Sequence, residues 1–351
     1  MTSPKITHIR QNSNKIWFCS RLIVSLHQNM KESKPLISFI ITYYNMPVEM
    51  LNECIDSILQ LSLLSSEREI IVIDDGSDNS PINELMKYGD KIIYVRQKNG
   101  GLSAARNKGI DVATGIFLQF VDADDLLIQI PYEQCLDILR NQKDVDMVLF
   151  DFSTNQQAES VAESVKPVSG SDYMHNNNIH GSACGYLFRR VILGELRFTP
   201  DILHEDEEFT PRLLLRAENI YPTKVKAYFY RHHEGSITTS RKESDVQKRL
   251  KDKKGIIIRL HDLCDKLPHN DKLSLERRVA QLTMDYLYDI IMLTRSSKIL
   301  NQQIETLHAK GLFPLPDAKY SKKYVWFRRM TNHRIGRTIL LSTLPLLKKE
   351  R

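Results

Sequence analysis

Two aspartates, Asp122 and Asp124, lie one residue apart directly after the mostly apolar run at residues 116–121. Carboxylates at this spacing, just beyond the end of a buried strand, can converge on one divalent cation. A hard cation of this kind is useful where a diphosphate must be bound and its charge neutralised as it leaves. For the pair alone, a solvated acidic loop at a strand end is the competing interpretation, because this spacing also arises by chance.

The elements that must position these aspartates alternate between strands and helices. Apolar runs predict strands at residues 36–41, 69–73, 91–95, 115–121 and 145–150. Apolar residues recur at helical spacing between them, most clearly at residues 48–64 and 102–113. This alternation predicts right-handed crossovers and a mostly parallel sheet with helices on both faces, and residues 244–310 predict further helices.

Polar motifs follow four of the predicted strands, at residues 42–45, 74–77, 99–101 and 122–124. In open α/β sheets ligands bind beyond the carboxyl ends of the strands, so we expect these motifs to share one site. Asp74 could accept hydrogen bonds from a pyrimidine or a ribose, although Asp-Asp-Gly-Ser is equally good turn chemistry. The paired glycines open a helix whose N-terminus favours anions. Arg106, one turn inside that helix, could reach a phosphate or clamp a neighbouring aspartate, and a solvated arginine is the alternative.

In this order and spacing, between residues 35 and 152, the motifs resemble those of the family 2 glycosyltransferases with the GT-A fold, of the bacterial cell-surface polysaccharide type. The resemblance implies an α/β fold with a Rossmann-like, mostly parallel sheet, helices on both faces, and here a helical C-terminal region. It implies a nucleotide-diphosphate sugar donor, with a UDP-sugar favoured, a Mn²⁺ or Mg²⁺ ion, and inverting displacement at the anomeric carbon. By resemblance, the donor-binding residues are Thr42, Tyr43, Asn45, Asp74, Asp75, Gly101, Arg106, Asp122 and Ala123, and the metal ligands include Asp122 and Asp124.

An inverting transfer also needs a general base that deprotonates the acceptor hydroxyl. The sequence His-Glu-Asp-Glu-Glu at residues 204–208 resembles the Glu-Asp motif of the family. We therefore assign Asp206 as the base and Glu205 as the residue that orients the acceptor. Ordinary helix-start chemistry is the alternative, because acidic residues favour the first turn of a helix. Residues 181–186 resemble the loop that precedes this motif and usually faces the acceptor.

A third prospective ligand of the cation lies further along the chain. Residues 230–238 stand where family members often have a flexible segment that contains Arg and His. A neutral imidazole can bind a metal, and Arg or His can neutralise a leaving diphosphate. We therefore assign His233 as a metal ligand, with a solvated loop histidine as the alternative.

Composition and periodicity divide the chain into an N-terminal extension, an α/β part and a helical C-terminal region, at residues 1–34, 35–240 and 241–351, and the resemblance implies that the α/β part is a GT-A catalytic domain. The catalytic domain has a nucleotide-binding half, residues 35–152, and an acceptor half, residues 153–240. Because Met30 stands immediately before the first strand, one hypothesis is that translation begins there. Five scattered cysteines without Cys-x-x-Cys spacing indicate a reducing compartment, so we expect a cytoplasmic protein.

The C-terminal region carries the positive charge of the chain. Ten Lys and Arg residues and one Glu between Lys319 and Arg351 give this stretch a net charge of +9, against +6 for the whole chain. Aromatic and aliphatic residues are interleaved with them, which suits an interfacial helix on anionic lipid at the cytosolic face of the inner membrane. The apolar content disfavours nucleic-acid binding, and a solvated tail is the alternative. A membrane location would fit a glycan or polyprenyl-linked acceptor, which the family resemblance implies.

Three other functions compete with this interpretation. A sugar nucleotidylyltransferase would need a Gly-rich, Arg-containing loop after the first strand, where this chain has Thr-Tyr-Tyr-Asn-Met-Pro at residues 42–47. No Gly-x-Gly-x-x-Gly follows any predicted strand, which disfavours a dinucleotide-dependent dehydrogenase. A non-catalytic nucleotide-sugar-binding protein would need the motifs of the first half alone, so Glu205 and Asp206 are the residues that distinguish it from an enzyme.

Overall fold

The computed structural model describes residues 34–156, 165–231 and 242–347. Its first part alternates strands and helices, as the sequence predicts: β1 (Ile37–Tyr43), α1 (Val48–Leu59), β2 (Arg68–Asp74), α2 (Ile82–Leu85), β3 (Ile93–Arg96), α3 (Gly101–Val112) and β4 (Phe117–Asp122). The second part has shorter elements: β5 (Leu126–Leu127), α4 (Gln129–Asn141), β6 (Met147–Leu149), β7 (Phe152–Ser153), α5 (Gly170–Asn176), β8 (Tyr186–Arg189), α6 (Asp206–Leu214), β9 (Ile220–Pro222) and β10 (Tyr228–Phe229). Helices then follow: α7 (Glu243–Cys264), α8 (His269–Thr294), α9 (Ser297–Ala309), α10 (Lys322–Asn332) and α11 (Arg334–Leu347).

The main sheet has the strand order β3-β2-β1-β4-β8-β6-β9. Strands β3, β2, β1 and β4 are mutually parallel, so the prediction of a mostly parallel sheet is confirmed. Strand β8 runs antiparallel to both β4 and β6, a reversal that the sequence pattern does not indicate. Strands β5, β10 and β7 form a second, three-stranded sheet. In the main sheet Tyr43 pairs with Asp74 and Thr42 pairs with Asp122, so the ends of three strands meet at one edge.

Strand β1 is buried along nearly its whole length because α-helices cover the sheet, and Ile37, Phe39, Ile40 and Ile41 have no exposed surface. Helix α3 approaches this strand very closely. A Cβ atom on Gly109 would lie 2.2 Å from Cγ2 of Ile40, so the helix backbone occupies space that only a glycine leaves open. This contact holds α3, and with it Arg106, against the carboxyl ends of the strands.

The C-terminal helices have a second hydrophobic core centred on α8, where Val279, Leu282, Tyr286 and Ile290 are buried at helical spacing. Leu215, just after α6, packs against both cores. The predicted boundary near residue 240 falls in a segment outside the described residues and stays a prediction. Across the helices that the structure describes, none is long and apolar enough to cross a membrane.

Candidate active site

Asp122 is the last residue of β4, and its side chain is 35% exposed at the edge where the strand ends meet. Its Oδ1 accepts a hydrogen bond of 3.1 Å from Nη2 of Arg106. Ala123 is buried, and Asp124 is half-buried at the same edge. Both aspartates of the opening motif therefore lie at the edge of the sheet where β1 and β2 also end.

Arg106 is a buried cation that joins two parts of the site. Its Nη1 donates to Oε1 of Glu205 at 2.5 Å, while Nη2 donates to Asp122. The guanidinium carbon lies 5.4 Å from the ring centre of Phe198 and 5.9 Å from that of Phe120. Burial alone would lower the pKa of Arg106, but the charges of Asp122 and Glu205 outweigh burial and raise it. The guanidinium therefore stays charged between the two carboxylates.

Helix α6 begins at Asp206, inside the acidic sequence at residues 205–208. Each of the other three acidic residues pairs with an arginine: Glu205 with Arg106, Glu207 with Arg278, and Glu208 with Arg259. Within the part of the chain that the structure describes, Asp206 forms no ion pair. It is thus the carboxylate of this group that is not already neutralised by a contacting cation.

The surroundings of Asp206 change its acidity. Burial raises the pKa of this carboxyl group from 3.8 to about 7; the charge of Glu205 acts in the same direction, and the charge of Arg106 opposes it. A carboxylate whose pKa is near neutrality can accept a proton effectively at physiological pH. This environment would suit a general base, and the assignment of Asp206 to that role stays a prediction.

The two aspartates at the end of β2, Asp74 and Asp75, hold the strand-end loops together. Asp74 is fully buried, and its oxygens accept hydrogen bonds from the N–H of Ser77 at 2.9 Å and the hydroxyl of Tyr94 at 2.7 Å. The carboxylate of Asp75 accepts from the N–H groups that open α3, of which that of Gly101 is at 2.7 Å. The helix N-terminus that the sequence predicts as an anion site therefore binds a carboxylate of the protein itself.

The loop after β1 lies at the same edge. Thr42 is half-buried, whereas the side chain of Tyr43 is buried and its hydroxyl donates to the carbonyl of Met46 at 2.7 Å. Asn45 has a φ of 48°, and its Oδ1 accepts from the N–H of Asp78 at 2.8 Å. These contacts fasten the first strand-end loop to the second. Direct contact of these residues with a donor stays a prediction.

Arg231 connects the 230–238 segment to the aspartate loop. Its backbone N–H donates to Oδ1 of Asp125 at 2.8 Å, and its Nε donates to the carbonyl of Asp124 at 2.9 Å. Its Nη2 donates to Glu53 at 2.5 Å. His233 lies outside the described residues, so its assignment as a metal ligand stays a prediction. The chain enters that segment directly beside Asp124.

The residues present at the opening motif fit a hard divalent cation. The described ranges contain no group of three or more His, Cys, Asp and Glu residues that could by itself hold a metal ion. The two carboxylates Asp122 and Asp124 are nevertheless suitable ligands for Mg²⁺ or Mn²⁺. Such ions commonly take one or two protein carboxylates and complete their coordination with water and substrate phosphates.

A cleft of about 620 Å³ opens beside β7, and its lining includes Phe152, Ser153, His180, Ser182, Lys226 and Tyr230. Tyr230 directly precedes the arginine that contacts the aspartate loop. Ser182 belongs to the predicted acceptor-facing loop, whose Cys184 has its Sγ 3.9 Å from Nη2 of Arg106. Two lining residues of the cleft therefore lie close in sequence to residues that contact the site.

Several residues of the site are not evident from the sequence. The hydroxyl of Tyr228 accepts a hydrogen bond of 3.1 Å from the N–H of Asp122. Phe198 stacks on Phe209 at 3.8 Å between ring centres and forms the aromatic wall beside Arg106. No spacing rule points to these three. Tyr44 is different, because it is 48% exposed beyond β1, and the alternation of side chains along a strand could have indicated its outward position.

The parallel strands, the antiparallel β8 and the strand-end motifs define a GT-A fold of the kind that glycosyltransferases use. Comparison with solved structures agrees: S. aureus TarS 1-349, crystallised with UDP-GlcNAc, superposes with a TM-score of 0.61 at 19% identity over 91% of this chain and 92% of that one. The mannosyltransferase PcManGT from Pyrobaculum calidifontis, with GDP-Man and Mn²⁺, gives 0.54 at 15% identity over 95% of each chain. At these identities the likeness shows the fold.

Residues 38–197 match the family described as Glycosyl transferase family 2, and the chain carries a family 2 glycosyltransferase domain. The glycosyltransferase EpsJ of Bacillus subtilis (strain 168) is 29% identical over 221 residues, which are 58% of this chain and 63% of that protein. The minor teichoic acid biosynthesis protein GgaB of the same organism is 26% identical over 209 residues, 56% of this chain and 23% of that protein. The chain thus spans less than two thirds of the length of these relatives.

Proposed function

We propose that this protein is an inverting glycosyltransferase that moves a sugar from a nucleotide-diphosphate sugar to a hydroxyl group of a glycan or lipid-linked acceptor in cell-surface polysaccharide synthesis. The observation that carries the proposal is the buried bridge from Asp122 through Arg106 to Glu205. It joins the predicted donor-binding edge to the helix that begins with the candidate base, Asp206. The likeness to EpsJ and to GgaB, a teichoic acid biosynthesis protein, supports this assignment.

In the proposed reaction the oxygen of the acceptor hydroxyl forms a bond to the anomeric carbon. The bond from that carbon to the donor diphosphate breaks on the opposite face, so the configuration inverts. Asp206 takes the hydroxyl proton as the new bond forms, and its raised pKa suits that role near neutral pH. Glu205 stays paired with Arg106 and holds the start of α6 in place. The nucleoside diphosphate leaves with the bonding electron pair.

The donor is proposed to lie along the ends of β1, β2 and β4. Support comes from structural neighbours, which were solved with UDP-GlcNAc and with GDP-Man. We favour a UDP-sugar. Asp74 and Asp75 would act mainly by holding the loops that form the pocket, because their carboxylates already accept hydrogen bonds from the protein. Thr42 and the exposed Tyr44 would then face the nucleotide.

A divalent cation, Mn²⁺ or Mg²⁺, is proposed to be held by Asp122 and Asp124, with His233 as a further ligand. When bound, such an ion neutralises the charge that develops on a leaving diphosphate. The ion pair with Arg106 fixes the orientation of Asp122 at 3.1 Å. Arg231 holds the backbone of Asp124 from the other side. The chain's own contribution is thus to hold the two carboxylates at the end of β4.

The acceptor is proposed to enter the cleft lined by Phe152, His180, Ser182 and Tyr230. Sugar-binding pockets of this size need an apolar surface and a few polar groups that set orientation, and this cleft offers both. Its lining residues lie on or just after β7, in the loop at residues 180–182 and next to β10, and none lies on the donor strands β1, β2 and β4. That arrangement would bring donor and acceptor to Asp206 from two sides.

We further propose that the protein binds the cytosolic face of the membrane through α10 and α11. Trp326, Ile335, Ile339 and Leu346 are 49%, 78%, 44% and 64% exposed there, among exposed Lys and Arg side chains. A variant with Trp17→Phe retains one tryptophan, Trp326. Its fluorescence should shift to shorter wavelength with phosphatidylglycerol vesicles and not with phosphatidylcholine vesicles. An unchanged spectrum with both would exclude this surface.

The activity is tested by measuring nucleotide release from a panel of UDP-, GDP- and dTDP-sugars with Mn²⁺, Mg²⁺ or EDTA. We expect one donor to turn over in a cation-dependent manner. Asp124→Asn should lower that rate by at least roughly 10- to 100-fold, because even the loss of a group that supports a metal ligand costs that much. The matched control is Asp137→Asn on α4, whose side chain is 63% exposed. Tight binding of a donor without any turnover would instead identify a non-catalytic nucleotide-sugar-binding protein.

A further inference from the structure

One face of α8 is polar and yet buried. Ser274, Arg277, Arg278 and Gln281 recur at helical spacing and are only 1%, 8%, 5% and 7% exposed. Burying amide and guanidinium groups costs free energy unless each one finds hydrogen-bond partners. An apolar face would pack α8 at lower cost, so this face indicates a requirement for particular contacts.

These contacts are made to α5 and to the loop that follows it. Ser274 Oγ donates to the carbonyl of Ser171 at 2.7 Å. Arg277 donates to the carbonyl of His175 and, at 3.1 Å, to Oδ1 of Asn178. Gln281 donates to the same Asn178 oxygen. The polar face of α8 therefore donates hydrogen bonds to backbone carbonyls of residues 171–179 and to one side chain there, that of Asn178.

Arg278 links this loop to α6, the helix that begins with the candidate base. Its Nη1 donates to the carbonyl of Ile179 at 2.9 Å, and its Nη2 contacts the carboxylate of Glu207. Glu207 is the neighbour of Asp206. The loop is also pressed against α6 directly, because a Cβ atom on Gly181 would lie 2.2 Å from Oε2 and 2.9 Å from Cα of Glu207.

The same loop forms a wall of the cleft. His180 and Ser182 line it, and Cys184 follows within reach of Arg106. The position of α8 consequently determines where this wall stands relative to Asp206. Helix α8 lies outside residues 38–197, the part that matches the family, so the match assigns no role to it.

We propose that Arg278 is a positioning residue for acceptor binding. With Arg277 and Gln281, it fixes the wall at residues 177–182 against the start of α6, and the helical C-terminal region is thereby part of the acceptor site. The proposal rests on the proposed function in one respect, namely that the cleft receives the acceptor. The donor edge at β1 and β2 has no part in these contacts.

The test compares Arg278→Gln with Arg259→Gln in the full-length protein. Arg259 also joins the helical region to α6, through Glu208 at 2.6 Å, and among the described residues its hydrogen bonds go to Glu208 and not to the loop. In Arg278→Gln, and not in Arg259→Gln, the rate of hydrogen exchange should rise roughly tenfold in peptides covering residues 175–184. This rise is expected because the variant loses a charged hydrogen bond that stabilises the segment against local opening. The dissociation constant for UDP should change less than twofold in both variants. With octyl glycosides as acceptors, Arg278→Gln should raise KM more than it lowers kcat.

Unchanged exchange in residues 175–184 would overturn the proposal, and so would a weakening of UDP binding as large as the change in exchange. Loss confined to kcat would assign Arg278 to the base rather than to the wall. If Arg278→Gln unfolds, two other variants serve in its place. Gln281→Ala and Asn178→Ala each remove side-chain hydrogen bonds between α8 and the same loop, and each should increase hydrogen exchange in the same peptides. If the wild type turns over no donor, the proposed function fails, while the exchange experiment still decides whether α8 holds the wall.

Discussion

Replacing Arg106 by methionine tests whether one buried guanidinium holds the donor edge and the base helix together. Methionine has a similar length and fills the space beside Phe120 and Phe198, but it leaves the carboxylates of Glu205 and Asp122 without their cation. The side chain of Glu205 is 7% exposed and that of Arg106 is 4% exposed, so water screens this pair little. The change therefore isolates the charge from the packing.

The expected decrease in the free energy of unfolding follows from this burial. Removing one partner of a buried ion pair destabilises a protein by about 3–5 kcal/mol, and we assign nearly all of it to Glu205 because Asp122 is partly exposed and better screened. Arg106→Lys keeps the charge, but one ammonium group cannot contact both carboxylates as the guanidinium does. It should lose one charged hydrogen bond, worth about 1.5–3 kcal/mol.

The assay is urea denaturation of the wild type, both Arg106 variants and a surface control. Arg197→Met removes an exposed pair with Asp111, at 3.3 Å, and should cost about 1 kcal/mol or less. A loss below about 1 kcal/mol for Arg106→Met would refute the reasoning, because it would mean that Glu205 does not depend on a buried cation. Equal stability of the Lys and wild-type proteins would refute the bridging geometry.

Two further predictions concern acidity and packing. Because Asp206 must lose its proton to act as a base and burial raises its pKa to about 7, kcat/KM should rise with pH through that value. Glu205→Gln removes a charge that raises this pKa and should move the rise to lower pH; a flat profile between pH 5 and 9 would count against the assignment. Gly181→Ala should lower stability by about 1–3 kcal/mol in thermal or urea unfolding, because its Cβ would overlap Glu207. Gly255→Ala, inside α7 with Arg259 Nη1 as its nearest contact at 3.1 Å, should be neutral or stabilising by about 0.4–1 kcal/mol, and a larger loss there than at Gly181 would contradict this account.

The location of Asp122 is predictable from the sequence because β1, β2 and β4 are long, apolar and separated by helices. Their period and spacing identify a parallel sheet, and the topology then places the residues after each strand at one edge. The antiparallel β8 and the strands β5, β7 and β10 cannot be predicted from the sequence in this way. Strands of two to four residues have too few positions to show a period, and Leu127 pairs with a residue as distant as Tyr228.

The roles of Asp74 and Asp75 are also not readable from the sequence alone. Their types and position predict acceptors for ligand hydrogen bonds, yet both carboxylates already accept hydrogen bonds from Tyr94 and from the start of α3. A sequence shows which oxygens are available in principle, whereas the fold decides how many of them the protein itself uses. Asp206 shows the converse: its acidic neighbours each pair with an arginine from a distant segment, whereas Asp206 forms no ion pair among the residues that the structure describes.

The central claim is that Asp206 is the general base of a sugar transfer. The measurement that tests it most directly is the rate of nucleotide release from the preferred donor by Asp206→Asn, beside Asp201→Asn, an exposed aspartate in the loop before α6. We predict a loss of roughly 10²- to 10⁴-fold for Asp206→Asn, with the dissociation constant for the nucleotide unchanged and the control close to wild type. Turnover by Asp206→Asn within tenfold of the wild type would contradict the claim.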